Sequence, residues 1–152
     1  MPGGRQRFLI ETYLAALEIY KDTGLEGNAV DVQAALARCK QTLGFEQEAL
    51  DHTKDVWIYL QEHGSKGVEF PILVYQTCAS IFKVVGEDER SANAVEEGWN
   101  EMMRRADSIS DASWRESFIK NVPEHRELSA MKDRQAGDPA SREREDEDGR
   151  DN

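Results

Sequence analysis

The sequence predicts an all-α fold in which antiparallel helical hairpins stack as a short right-handed α-solenoid with a C-terminal capping helix. Two observations lead to this prediction. Apolar residues recur at helical spacing along most of the chain, and no segment alternates as a strand would. The chain also repeats its own pattern at an offset of 42 residues, which is typical of stacked helical units.

The apolar stripes predict five principal helices. The fourth is apolar on most sides, so it should lie at the centre of the stack. Glycine can end a helix in the left-handed conformation, and Gly24, Gly44 and Gly86 each follow one of the stripes. The expected helices cover residues 5–23, 28–43, 45–63, 70–85 and 87–108.

Two short helices are expected after these five. Asp111 can cap a helix that reaches Lys120, and Pro123 suits the first position of another helix that extends to residue 131. Trp114 and Phe118 are four residues apart and therefore lie on one side of the first short helix. We expect both aromatic rings to cover the apolar end of the fifth helix and so to close the stack.

Length and composition predict one domain with two different ends. The 152 residues are 39% hydrophobic and 32% charged, which is usual for a globular protein. Residues 1–4 should be flexible, and residues 5–131 should form the helical repeat domain. Residues 132–152 combine dense mixed charge with a few Gly, Pro and Ser residues and should form a disordered tail.

The formal charge of −11 argues against several classes of partner. Nucleic acid and anionic membrane surfaces would repel such a chain, so neither is expected. No apolar run reaches the roughly 18 residues that cross a bilayer, and no signal peptide is evident, so the cytoplasm is the expected compartment. Cys39 and Cys78 lie within helical patterns and should be reduced core thiols.

Signals for catalysis or cofactor binding are weak. The loop from Gly64 to Gly67 lacks the spacing of a phosphate-binding loop, and no strand precedes it. His52, His63 and His125 are scattered without spaced partners, so neither a metal site nor a nucleophile–base pair is indicated. We therefore expect no enzyme activity, no metal and no cofactor.

The repeat unit resembles a tetratricopeptide (TPR) repeat. A small residue, Ala37 or Ala79, stands seven residues before a glycine turn in each unit, and Ala49 follows the first turn. The second unit matches further through Tyr75, Phe82 and Gly98. The family pattern has an alanine where Ser91 stands, and its usual repeat is about 34 residues long. The resemblance implies hairpins that pack closely through these small residues.

The stretch from Ala106 to Leu128 carries a second resemblance. It is similar to the segment that closes TPR regions at the C-termini of large bacterial regulators. Those proteins also carry AAA-like or STAND-type ATPase domains and cyclase-like or DNA-binding output domains. The resemblance covers about residues 28–130 and none of those other domains. It implies a regulatory interaction region without their activities.

The resemblance also implies where a partner would bind. In TPR arrays the first helix of each hairpin lines the concave side, which holds an extended peptide or a helix. Two such helices are predicted in this chain. Their outward positions are the candidate partner-binding residues: Asp31, Arg38, Gln41, Gln76, Ser80 and Lys83.

The sequence therefore predicts a non-enzymatic interaction module that binds a protein or peptide in its groove or by self-association. Self-association would use the stripe of Leu9, Tyr13 and Leu17 if that stripe is wider than one neighbouring helix can cover. The alternative is a small-ligand sensor with a cavity beside the fourth helix. An open groove favours the first hypothesis, and an enclosed cavity with converging polar groups favours the second.

Overall fold

The computed structural model describes residues 2–137, and this part of the chain forms seven helices and no strand. The predicted all-α fold class is therefore confirmed for these residues. The helices are α1 (Pro2–Asp22), α2 (Glu26–Thr42), α3 (Glu46–His63), α4 (Pro71–Val84), α5 (Asp88–Asp107), α6 (Ala112–Lys120) and α7 (Pro123–Ala136).

The helical region extends further at both ends than the sequence analysis indicates. α1 includes Pro2, a residue that suits the first position of a helix, so residues 2–4, which the sequence analysis assigns to the N-terminus, are helical. α7 continues to Ala136, and Lys132 in its extension forms an ion pair with Glu96 on α5. Residues 132–136, which the sequence analysis assigns to the tail, belong to this helix. Residue 1 and residues 138–152 lie outside the described residues.

Three turns share one backbone geometry, and each contains a glycine that the sequence predicts there. Gly24, Gly44 and Gly86 have φ angles of 73°, 83° and 81°, a region that glycine adopts without steric cost. In each turn the amide after the glycine donates to the carbonyl five residues earlier, as Leu25 N does to Tyr20 O at 2.9 Å. These bonds satisfy carbonyls at the helix end and reverse the chain.

α4 lies at the centre of the described helices, as its apolar sequence predicts. It contacts α2, α3, α5 and α7, and its residues Cys78, Ala79 and Phe82 are fully buried. The main core consists of apolar side chains that these five helices contribute, together with Val68. The expected helix begins at Phe70, but this residue precedes the first turn of α4 and is 54% exposed.

The 42-residue offset in the sequence corresponds to equivalent contacts in the hairpins α2–α3 and α4–α5. Ala37 and Ala49 pack in one buried cluster. At the equivalent positions in the second hairpin, Ser91 Oγ donates to Ala79 O at 2.8 Å. Small residues let both helix pairs approach closely, and the hydrogen bond satisfies the buried hydroxyl. A serine can therefore occupy the position where the family pattern has alanine.

The C-terminal helices pack differently from the prediction. Asp111 caps α6 as expected, because its carboxylate accepts from Trp114 N at 2.9 Å. Phe118 packs against the main core, whereas Trp114 is 73% exposed. The expectation that both rings cover the stack is wrong for Trp114, because α6 packs on α5 and α7 through the side that carries Phe118. The centroid of the Phe118 ring instead lies 4.4 Å from the ring centroid of His125, a buried residue on α7.

Candidate partner-binding site

Arg38 on α2 is held against α4 by a hydroxyl group. Its Nη1 donates to Thr77 Oγ1 at 2.9 Å. The hydroxyl proton of Thr77 is directed to Leu73 O at 2.7 Å, so the lone pairs of the oxygen are free to accept from Arg38. A neutral side chain therefore fixes the position of the guanidinium group.

The position of Arg38 combines burial with a full positive charge. The side chain is half-buried, and burial lowers the pKa of Arg38 below its ordinary value. Ionisable groups on α1, α2 and α7 act in the opposite direction: Tyr13, Cys39, Asp31 and Glu124. Among residues 2–137, no carboxylate lies within the 4.0 Å that defines an ion pair with Arg38.

Asp31, the second charged candidate on α2, has a structural role. Its two carboxylate oxygens accept from Glu69 N at 2.7 Å and from Phe70 N at 3.0 Å. These amides lie just before α4, where a helix start has no carbonyl partners of its own. Burial raises the pKa of Asp31 even though the two amides lower it. The carboxylate therefore ties α2 to the beginning of α4, and its oxygens are already occupied.

The candidates on α4 continue the polar surface beside Thr77. Gln76 Nε2 donates to Ser80 Oγ at 2.9 Å, and both side chains are half-buried. Lys83 lies at the C-terminal end of α4 and pairs with Asp88 at 3.2 Å, with both side chains exposed. Gln41 is half-buried on α2, three residues after Arg38. We define the Arg38 site as Arg38 and Thr77 with the neighbouring Gln76 and Ser80.

Sequence reasoning selected Arg38, Gln76 and Ser80 but missed the residues that determine the environment of Arg38. Thr77 is buried and looks like part of the apolar side of α4. Tyr13 belongs to the preceding helix and Glu124 to a helix far away in the sequence, and the fold brings both near Arg38. The local signal for Thr77 is its position between two predicted outward residues of one helix. No local signal indicates the other two.

The two cysteines are buried in the helical core. Both are free thiols. Burial raises the pKa of Cys78 to about 12, and burial also raises the pKa of Cys39. A thiol with a raised pKa carries little thiolate at neutral pH, so neither side chain is set up as a nucleophile. Within residues 2–137, no three His, Cys, Asp or Glu side chains are grouped to hold a metal ion.

An open depression of about 230 Å³ lies on the surface of α1. Its walls are Leu14, Leu17, Glu18, Lys21 and Asp22. The small-ligand hypothesis places its cavity beside α4, where Cys78, Ala79 and Phe82 are fully packed. The depression on α1 is therefore not the sensor cavity that the sequence analysis anticipates.

Comparisons with known proteins leave the family of this chain open. No protein-family model matches it, and no curated protein or solved structure shows significant similarity to it. Across residues 2–137, every helix is too short or too polar to cross a lipid bilayer.

Proposed function

We propose that this chain is a non-enzymatic interaction module, a TPR-like scaffold that binds an acidic group of a protein or peptide at the Arg38 site. The observation that carries the proposal is the half-buried guanidinium of Arg38, which has no ion-pair partner within residues 2–137. Folding has already removed much of the water around this cation, so binding an anion there does not incur that desolvation cost again, and the attraction is stronger than in water. A carboxylate can meet the planar guanidinium with two parallel hydrogen bonds.

The contacts between helices support a solenoid-like arrangement. α4 contacts both helices of the preceding hairpin, α2 and α3, and α7 contacts both helices of the next one, α4 and α5. This order of contacts is expected when hairpins stack on one another. α2, α4 and α7 would then line one side of the stack, on which Arg38 and Glu124 lie.

The polar side chains beside Arg38 suit a peptide backbone. Gln76 and Ser80 form a hydrogen-bonded pair whose amide oxygen and hydroxyl can accept further bonds. Val84 lies one turn further along α4 and is exposed, so it offers an apolar contact. An acidic side chain at Arg38 followed by backbone and apolar contacts along α4 is the binding mode we propose.

Selection of peptides tests this function. A phage-displayed library of random 12-residue peptides is selected on the immobilised full chain. The enriched peptides are then synthesised, and fluorescence anisotropy measures their Kd. We expect the enriched peptides to share an Asp or Glu. Arg38→Met should weaken their binding by about tenfold or more, which corresponds to about 1.4 kcal/mol. Arg126→Met removes the same charge from an exposed position on α7 and should leave the Kd unchanged.

Two results would contradict the proposal. Enriched peptides without an acidic residue, or peptides whose affinity is the same for wild type and Arg38→Met, would mean that Arg38 does not anchor a partner. If succinate binds as tightly as the best peptide and depends equally on Arg38, the small-ligand sensor becomes the better hypothesis.

A further inference from the structure

α1 has two apolar faces, and only one of them is covered by the described part of the chain. Of the described helices, α1 contacts α2 alone. The covered face carries Leu17, which is buried against α2, with Ile10, Tyr13 and Tyr20 around it. The stripe that the sequence analysis assigned to self-association therefore lies largely against α2 and is not the uncovered face.

The second face lies on the opposite side of the helix. Phe8 is nine residues from Leu17, a spacing that places the two side chains about 180° apart. Phe8 is 67% exposed and Ile19 is 60% exposed. They are 11 residues apart, which places them on the same side at a distance of about 16 Å along the axis. We call the row Phe8, Thr12, Ala15 and Ile19 the outer α1 face.

The outer α1 face is complementary to itself when it is reversed. Its spacings of four, three and four residues are the same in both directions, and this alternation is typical of helices that pair along a seam. Reversal places Phe8 opposite Ile19 and Thr12 opposite Ala15. The same alignment places Arg5 opposite Asp22 at both ends of the seam. The opposite charges of Arg5 and Asp22 in this alignment favour a second copy of the chain as the partner of this face.

We propose that the outer α1 face binds a second copy of this chain, with the two α1 helices antiparallel across a two-fold axis. Each Phe8 then packs against the partner's Ile19, and each Arg5 pairs with the partner's Asp22. A two-fold contact uses the same surface on both subunits, as a self-complementary face requires. The axis crosses the outer α1 face midway between Thr12 and Ala15.

The interface should be of moderate strength. One helix from each subunit buries less area than a standard protein interface, which favours a reversible dimer in the micromolar range over an obligate one. Glu11 and Glu18 lie along one rim of the face, and the whole chain carries a net charge of −11. Both effects oppose association and so also favour a weak, reversible dimer.

Sedimentation velocity of the full chain tests the proposal. We expect the mass to rise from 17.2 kDa towards twice that value as the concentration increases from about 1 to about 500 µM, the range that contains micromolar dissociation constants. Ile19→Lys should keep the chain monomeric at the highest concentration. Ile58→Lys is the matched control, because Ile58 is 55% exposed on α3, and this variant should dimerise like the wild type. Circular dichroism confirms that both variants remain helical.

Charge reversal tests the antiparallel register. Arg5→Asp should weaken the dimer by bringing two negative charges together, and Asp22→Arg added to it should restore the affinity. A chain that is monomeric throughout the concentration range overturns the proposal. If the Ile19→Lys and Ile58→Lys substitutions weaken the dimer equally, the proposal is also overturned. Failure of the double charge reversal to restore a dimer that Arg5→Asp has weakened overturns the antiparallel alignment.

Discussion

The binding role that we propose for Arg38 would oppose the stability of the fold. Its charge is half-buried, burial lowers its pKa, and its hydrogen bond to Thr77 joins it to a neutral group. Desolvation of a cation costs free energy, which a hydrogen bond to a hydroxyl offsets only in part. Residues that are kept for binding often have this property, and replacing them then stabilises the protein.

Arg38→Met should therefore leave the free energy of unfolding unchanged or raise it by about 1 kcal/mol. Methionine retains much of the apolar volume of the side chain, and replacing a buried charge by an apolar group of similar size is often neutral or stabilising. Thr77 keeps its bond to Leu73 O in this variant. Urea unfolding measures the change, with Arg126→Met as the control. A loss of more than about 2 kcal/mol would show that Arg38 serves the fold and not a partner.

Gly27 is required by a close contact between two backbones. A Cβ atom at this position would overlap the carbonyl group of Gly67, in the loop before α4. Gly27→Ala should cost about 1–3 kcal/mol because this loop or α2 has to move. Gly4→Ala is the control, since nothing lies within 4 Å of a Cβ atom there, and it should stabilise α1 by about 0.5–1 kcal/mol. Thermal unfolding of both variants compares the two effects, and equal behaviour would contradict the contact.

The sequence predicted features that depend on local chemistry and missed those that depend on helix rotation. The turns at Gly24, Gly44 and Gly86 could be predicted because glycine is the residue that most readily adopts the left-handed conformation after a helix. The bond between Arg38 and Thr77 joins residues 39 apart. This bond depends on how α2 is rotated about its own axis relative to α4. The identity of neither residue predicts that rotation. The resemblance to TPR repeats selected Arg38, whereas the sequence analysis assigned no role to Thr77.

At the scale of the element, α6 shows why helical spacing predicts neighbours but not burial. Trp114 and Phe118 are four residues apart, yet Trp114 is exposed while Phe118 packs on the core and on His125. α6 has nine residues, and none of them is fully buried. Its short apolar side gives no indication of which aromatic ring the neighbouring helices will cover. α7 determines which ring is covered, because its His125 bonds to Phe118 O through Nδ1 at 2.7 Å.

Phe118 and Trp114 should consequently respond differently to truncation. Phe118→Ala removes a ring that joins α6 to α7 and to the core, and it should cost about 3 kcal/mol, the lower end for a phenylalanine because the ring is only half-buried. Trp114→Ala should change the free energy of unfolding by less than about 0.5 kcal/mol. Urea unfolding followed by circular dichroism measures both. Equal losses would place the two rings on the same covered surface, as the sequence alone suggests.

At the scale of the whole molecule, the described helices differ widely in how much of their surface is covered. The main core spans α2, α3, α4, α5 and α7. The cluster that holds α1 contains only Leu17, Ala29 and Leu36 as buried members. α1 contacts a single helix, whereas α4 contacts four. Local stability follows the number and burial of such contacts, so α1 should be less stable than α4.

Hydrogen exchange should detect this difference in local stability between α1 and α4. In native-state exchange measured by mass spectrometry, the amides of α4 from Thr77 to Phe82 should be the most protected and open only with the whole chain. The amides of α1 should exchange at least about tenfold faster, a difference of about 1.4 kcal/mol or more. The Ile19→Lys variant serves as the reference, because it removes any protection that α1 gains from a second copy. Protection of α1 equal to that of α4 in this variant would mean that α1 is held by contacts beyond α2.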